Sequence, residues 1–466
     1  MAKIYVFGIG GTGSRVMRSL TMLLAAGVDM NGYDIVPIII DPDSSNSDLT
    51  RCVQLLNRYE DLHKSLNFSE GNENRFFKTK ILRTMPSFKL LIKDTDDKSF
   101  RQFISYANMS KENQAMAQML FSEANLESDM NVGFKGNPNI GSVVLNQIET
   151  SENFEEFANT FADGDKIFII SSIFGGTGAS GFPLLLKTLR HNKSIPNHAI
   201  INSAEIGALT MLPYFKVRQD ADSSIDSATF ISKAKSALKY YESNITKNQE
   251  LNAFYFLGDN DTNTYDNHEG GTDQKNAAHL LELMAATAIV DFAGHQHEGE
   301  CTNKELSINY DSGSVTMNCF FSDIARMLRR PLTQFILMAN CFDEKMDFIS
   351  SNKLAANSRL FKDTSSFYKS QFVIQLHKFL KAFKEWLGEM HDNHLPLSLF
   401  KLNTGSKPFD LVTDVKASRI MDINSDYDLF FSKMNGVKIT STSENDKLLE
   451  MFYLATRKLV ELKYKF

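Results

Sequence analysis

The chain has 466 residues, enough for two or three domains at about 150 residues each. Hydrophobic residues make up 42% and charged residues 23%, ordinary globular values that exclude a wholly disordered chain. Fifty Lys+Arg against 56 Asp+Glu leave a net charge of −6, so no global positive field exists to coat a nucleic acid.

The chain enters an apolar run at residues 4–7, read as a strand, with no signal-peptide layout before it. Residues 8–13 form a glycine loop. Val16, Leu20, Leu23 and Leu24 then recur at helical spacing. Residues 35–40 are a second apolar run, typical of a strand buried on both faces of a parallel sheet. Pro37 objects mildly, because it cannot donate to a ladder. A polar loop, Asp-Pro-Asp-Ser-Ser-Asn, follows at 41–46, completing a βαβ unit. Residues 50–130 mix charge with short apolar pieces and predict helices plus an elaboration. Gly-Asn-Pro-Asn-Ile-Gly at 136–141 breaks the chain sharply.

Residues 166–173 predict a buried strand feeding a second glycine loop at 174–181, with a helix continuing over 182–189. Residues 199–201 and 253–257 predict further strands, with a helix over 230–241 between them. The Asp/Asn/Gly/Thr-rich stretch 259–272 reads as a loop, and residues from 273 to 294 form the most apolar helix of the chain. The division this suggests is a nucleotide-binding domain over 1–272, a central helix over 273–298 and an α+β domain over 299–466. The last twenty residues, from Lys447, predict an amphipathic surface or docking helix with Arg457, Lys458, Lys463 and Lys465 outward. No apolar run reaches the roughly 18–20 residues of a membrane span. Four cysteines without a CxxC pair (Cys52, Cys301, Cys319, Cys341) exclude a disulfide scaffold and point to a reducing, cytoplasmic setting.

Two Gly-Gly-Thr-Gly tetrapeptides, at 10–13 and 175–178, each follow an apolar strand and open a helix. Glycines let backbone N–H groups turn toward an anion, and a helix N-terminus adds positive potential. Two such loops at the carboxyl ends of two strands of one sheet suggest a polyphosphate cradle. A Walker loop fails, because Ser14 stands where its lysine belongs. The dinucleotide pattern G-x-G-x-x-G matches Gly8, Gly10 and Gly13, with Asp41 near the place of a ribose-binding acid. That pattern leaves the second loop without a use.

Taken in order, these segments resemble the tubulin/FtsZ superfamily, closest to divergent bacterial tubulin-like proteins with Gly-Ile-Gly-Gly-Thr-Gly-Ser starts. The loop over 174–181 is similar to that family's G-G-G-T-G-(S/T)-G signature, and the loop over 8–14 to the glycine loop after its first strand. Residues 41–46 fall at its second nucleotide loop. Residues 136–141 are similar to its G-x-N-P-E-x-G phosphate loop, and 209–215 to its V-T-x-P-F segment. Asn318 to Asp323 resembles the N-x-D-F-x-D loop that carries the catalytic acids. The resemblance covers roughly 3–45 and 131–330. It departs at Phe174, which replaces the first signature glycine. One extra residue also precedes the last signature glycine (Ala179-Ser180-Gly181). Phe320 occupies the first acid position, and the stretch 299–317 before the acid loop is longer than in the family.

The resemblance implies an α/β, tubulin/FtsZ-like parallel-sheet domain with a long central helix and a second α+β domain. It implies GTP or GDP with Mg²⁺, and head-to-tail self-association into filaments in which one subunit's acid loop completes the next subunit's site. Carried over residue by residue, the nucleotide contacts are Gly10, Gly11, Thr12, Gly13, Ser14, Asp41, Asp43, Asn137, Pro138 and Gly141. The second loop adds Gly175, Gly176, Thr177, Gly178, Ala179 and Ser180, and the base contacts are Asn260 and Asn276. Asp323 is the catalytic acid, with a helix cap as its ordinary alternative. Lys216 and Arg218 face the phosphates or end a solvated strand. His295, His297 and Cys301 are metal-type ligands, but their spacing fits no common structural site, and a polar loop is preferred. Two other function classes stay open. One is a hydrolysis-deficient nucleotide-binding subunit of a larger bacterial system, such as an anti-phage one, with protein partners. The other is a Rossmann-type ATP or NAD enzyme, such as a ThiF-like adenylating enzyme.

Overall fold

In the computed structural model the described residues are all except 44, 94, 96, 131–132, 135, 218–229, 260–262, 266–274, 298–300, 306–307, 309–312 and 419–424. The first apolar run forms β1 (Lys3–Ile9) and passes directly into α1 (Gly10–Ala25). β2 (Asp34–Ile40) returns parallel to β1, in register from Lys3 opposite Asp34 to Ile9 opposite Ile40. Pro37 is tolerated for a reason visible here. Ile35 and Ile39 turn their outer backbone groups to residues 80–90, where Ile35 N–H donates to Lys80 and the carbonyl of Ile39 accepts from Leu90. Pro37 shares their parity, so its missing N–H falls on the outer edge and not between β1 and β2.

α2 (Ser47–Lys64) opens on Asn46, whose side chain accepts from the Asp48 and Leu49 amides. Residues after it cover the outer edge of β2 through bridges at Ile81 and Lys89. α3 (Pro138–Leu145) follows, then β3 (Lys166–Ser172) and α4 (Gly176–His191). Residues 199–201, expected as a strand, lie in a short helix, His198–Ser203; the strand comes later, as β4 (Ile206–Met211). A three-residue apolar run does not separate helix from strand. The six residues of β4 are all buried between β3 and a later strand.

β5 (Phe215–Val217) leads to α5 (Phe230–Tyr241) and β6 (Ala253–Leu257), and β7 (Asn263–Tyr265) pairs with β5 in a separate two-stranded sheet. The central helix is α6 (Leu280–Gly294), shorter than expected. It starts at a capping box: His279 accepts from the Leu281 amide, and Glu282 accepts from the His279 amide at 3.1 Å. Residues 275–279 before it are not helical. They are tied down by Asp48, which accepts from the Asn276 amide, and by Glu389, which accepts from the Ala278 amide.

β8 (Thr302–Glu305) pairs parallel with β6, so the first strand of the expected second domain extends the main sheet. The sheet order is β2-β1-β3-β4-β6-β8, all parallel, which puts every carboxyl end on one edge. Beyond β8 the regular elements among the described residues are helices, with isolated bridges in the connecting loops. They include α7 (Ser322–Ile349), α8 (Gln371–His391), α9 (Asp426–Asn435) and α10 (Glu444–Lys463). α10 buries Leu448, Leu449, Met451, Phe452, Ala455 and Leu459; of the basic residues expected to face outward, Lys458 and Lys465 are exposed and Arg457 is partly exposed, but Lys463 is buried beside Asp426.

This helical layer is stitched to the first hundred residues. Trp386 Nε1 donates to Ser19 Oγ at 3.2 Å. The Asp446 carboxylate accepts from the Asn67 amide, 379 residues away in sequence. Thr440 Oγ1 donates to the Gly71 carbonyl, and Arg457 pairs with Glu73. Phe76 stacks edge-on against Phe335 and Tyr453, and Phe77 against Phe379. One continuous hydrophobic core therefore runs from β1 to α10.

Candidate functional site

The parallel sheet brings the two glycine loops side by side at the carboxyl ends of β1 and β3. Gly10 holds φ +70, and a Cβ there would stand 3.4 Å from Thr177 Cβ and 3.9 Å from the Gly178 amide. The segment over 134–141 closes a third side. A Cβ on Gly176 would lie 3.1 Å from the Asn137 amide and 3.3 Å from the Gly136 amide, and one on Gly141 would overlap Ser180 Oγ at 2.2 Å. Gly133 faces Asp43, which brings the loop after β2 to the same place. Four segments that the sequence singled out separately are thus one cluster.

The two helices that open here differ from their neighbours. α2, α3, α8, α9 and α10 each begin with a side chain accepting from a first-turn amide. α1 and α4 have no side-chain cap and no acidic residue in the first turn. Their leading N–H groups are the orphan donors of a helix start, at a junction where glycine lets the loops approach closely. Gly11, Gly175, Thr177 and Ala179 are partly exposed. Ser14 Oγ is fully buried and has no partner. Other residues of the set are already committed. Ser180 Oγ donates to the Gly176 carbonyl at 2.7 Å. Asn137 caps α3 by accepting from the Asn139 and Ile140 amides, and Pro138 fills the first position of that helix.

Asp41 lies one residue beyond the Ile9–Ile40 pair, beside Gly10. One carboxylate oxygen accepts from the Asp43 amide at 3.1 Å, and the other is buried without a partner. Burial, then the neighbouring Asp43 charge, push its pKa up from 3.8 to about 7. The folded chain therefore holds this proton more tightly than the unfolded one. The stability it lends is complete below pH 4 and is lost as pH rises through 7. Asp41→Asn should raise the urea midpoint at pH 8 and flatten the loss of stability between pH 4 and 7. The three-unit shift sets a ceiling of about 4 kcal/mol on the gain. An unchanged pH profile in urea melts would refute this.

Beneath the loops lies a buried ionic hub that the sequence did not reveal. Arg15 Nε donates to Glu282 at 2.5 Å, Nη1 to Asp48 at 3.0 Å, and Nη2 to Tyr214 Oη at 2.8 Å and Thr12 Oγ1 at 3.3 Å. Arg15, Asp48 and Glu282 are all buried. Burial works against the charged guanidinium, but Tyr214, then Glu282 and Asp48, hold its pKa well above the ordinary range. Burial pushes the Glu282 carboxyl up. Burial, then Arg15, push His279 down to about 4, so its Nδ1 is a neutral acceptor for the Leu281 amide. The hub continues outward. Asp48 takes the Arg51 guanidinium and the Asn276 side-chain amide, and Arg51 and Arg18 both reach Glu389 on α8. Asn276, expected to contact a base, is thus held by Asp48. No sequence motif marks Arg15, whose partners lie 33, 199 and 267 residues away.

Asp323 is not brought to the loops. It sits in the first turn of α7, behind Phe321 at the cap position, with its side chain 86% exposed and Arg326 at 3.6 Å. Phe320, in the place of the first acid, is buried. Asn260 and Arg218 lie outside the described residues, and Lys216 belongs to β5. His295 Nδ1 meets the Asp291 carbonyl at 2.7 Å, and His297 stacks on Phe292.

No protein-family model and no curated protein sequence matches this chain. Solved structures similar to it include a point mutant of FtsZ from M. jannaschii, at 18% identity and TM-score 0.28, covering 55% of this chain and 46% of that one. CetZ2 from Haloferax volcanii, a GTPγS-bound protofilament, is 14% identical at TM-score 0.29, covering 63% and 56%. CetZ from Methanosaeta thermophila strain DSM 6194 is 16% identical at TM-score 0.27, covering 63% and 52%. The matched region spans about half the length of each of these proteins.

Proposed function

We propose that the chain is a guanine-nucleotide-binding protein that assembles head to tail, with GTP hydrolysis completed by the acid of a neighbouring copy. The observation that carries the reading is the convergence of two uncapped, glycine-opened helix N-termini with the loops at 41–46 and 133–141. Fixed N–H donors at such a place suit a polyphosphate without further side-chain charge. The guanine base is inferred from the order of sequence motifs. Asp323, exposed on α7, then acts on the next subunit's nucleotide, where a carboxylate positions the attacking water.

Mg²⁺ fits the donor set. Asp41 offers a buried oxygen without a partner, next to Asp43. Among the described residues no group of three acidic, His or Cys side chains is placed to hold a metal alone. That suits an ion bound mainly through phosphate oxygens with one or two carboxylates. When bound it would offset charge on the phosphates.

Two observations favour a second reading, a nucleotide-binding subunit without turnover. Phe320 is buried where the first acid belongs, and Asp323 is engaged by Arg326. One experiment separates the readings. Nucleotide released from denatured protein is identified by chromatography, and native protein is spun with and without GTP. We expect guanine nucleotide, GTP-dependent pelleting, and turnover that falls about 100-fold in Asp323→Ala with an unchanged melting temperature. Bound guanine nucleotide with neither pellet nor turnover would favour the subunit. Adenine nucleotide or NAD in the extract would restore the Rossmann-type reading.

A further inference from the structure

Phe174, which stands where the resembling family has its first signature glycine, does more than fill space. Its ring meets Tyr214, Phe215 and Phe230, the last at 5.2 Å. Phe230 is the first described residue of α5, so this contact holds that helix against the second glycine loop. Three residues on, one helical turn later, Lys233 shares the same face. Its ammonium donates to the Gly136 carbonyl at 3.1 Å. The Gly136 and Asn137 amides are the groups that lie against Gly176. A lysine is therefore delivered to the rim of the cradle by an aromatic anchor.

The charge balance of the cradle gives this lysine a task. Arg15 is already balanced by Asp48 and Glu282. Asp41 and Asp43 add acid on the β2 side. A triphosphate brings several further negative charges, and the orphan amides supply only partial ones. An ammonium on a flexible stem suits the most highly charged end of such a ligand.

We propose that Lys233 is a phosphate-binding residue of this site. It exchanges the Gly136 carbonyl for the terminal phosphate of a nucleoside triphosphate, and so favours tri- over diphosphate. The proposal rests on the nucleotide reading above. It assigns to the chain a basic contact that no motif in the sequence marks.

The test titrates GTP and GDP, each with Mg²⁺, into the full-length protein and into Lys233→Met and Lys233→Arg, following melting temperature in parallel. Lys233→Met should weaken GTP binding at least tenfold and GDP binding less than threefold, with an unchanged melting temperature without ligand. Lys233→Arg, which keeps the charge, should recover GTP binding to within about threefold of wild type. Equal affinities of wild type and Lys233→Met for GTP would overturn the proposal, as would parallel losses for GTP and GDP. If wild type binds neither nucleotide, the nucleotide reading itself fails and the role of Lys233 falls with it. If wild type binds both and the Lys233 variants behave as wild type, the site stands and the lysine assignment fails alone.

Discussion

Gly13→Ala is expected to cost about 3 kcal/mol or more, at the upper end of what overpacking does in ordinary cores. The new Cβ would lie 2.3 Å from the Gly8 carbonyl carbon and 2.6 Å from Gly8 Cα, both backbone atoms that cannot rotate aside. Relief would require α1 to lift off β1. Lifting would break the Arg15 bonds to Asp48 and Glu282 and the Trp386–Ser19 contact. Gly32→Ala is the control. Gly32 has φ +85 with nothing within 4 Å of a Cβ, so it carries the conformational penalty alone, about 1 kcal/mol. Urea midpoints of the two variants compare backbone collision with backbone strain. Equal losses would mean that α1 can shift without consequence, and that the Gly8–Gly13 contact is not what sets the loop.

Arg15→Met should cost about 3–5 kcal/mol at pH 8, because the methionine fills the volume but leaves Glu282 buried without its cation and Asp48 with Arg51 alone. The loss should depend on pH with a definite sign. Burial already pushes the Glu282 carboxyl up, and Arg15 is the largest influence pulling it down. Without Arg15 the folded chain holds that proton more tightly still. The variant is then relatively more stable below the carboxyl's folded pKa and loses stability as pH rises through it. Guanidinium melts at pH 5.5 and 8 should show a smaller gap from wild type at the lower pH. The double change Arg15→Met with Glu282→Gln should recover part of the deficit at pH 8. A loss of the same size at both pH values would assign the effect to packing alone.

The parallel sheet and both glycine loops were legible because they rest on local pattern. The largely apolar strands at 4–7 and 166–173 each run into a glycine-rich turn that opens a helix. The order of motifs placed the loops at one edge, and the sheet register brings them together. What was hidden depends on long-range pairing. The start of α6 is set by the His279–Glu282 box and by Asp48 and Glu389 holding the residues before it, so helical apolarity alone began it too early. The basic residues of α10 suggested an outward face, which Lys458 and Lys465 keep, but the burial of Lys463 beside Asp426 depends on a partner distant in sequence. Arg15 and Lys233 were invisible as site residues, because each is defined by partners distant in sequence. Asp323 was legible as an acid at a helix start, but its exposed position on α7 was not.

The stitching of α10 to residues 65–77 bears on how the protein is made. Asp446 and Asn67 are 379 residues apart. At about 5–20 residues per second, a ribosome needs roughly 20–80 s to bring the second partner out after the first. Throughout that interval the aromatic pair Phe76–Phe77 lacks Phe335, Phe379 and Tyr453, the rings that later cover it. The nascent chain therefore waits with an uncovered aromatic patch, a species that chaperones recognise and that aggregates when they are scarce. Closing the core is a late event with a long loop to order, so native yield should respond to chaperone supply and translation speed more than to the strength of any single contact.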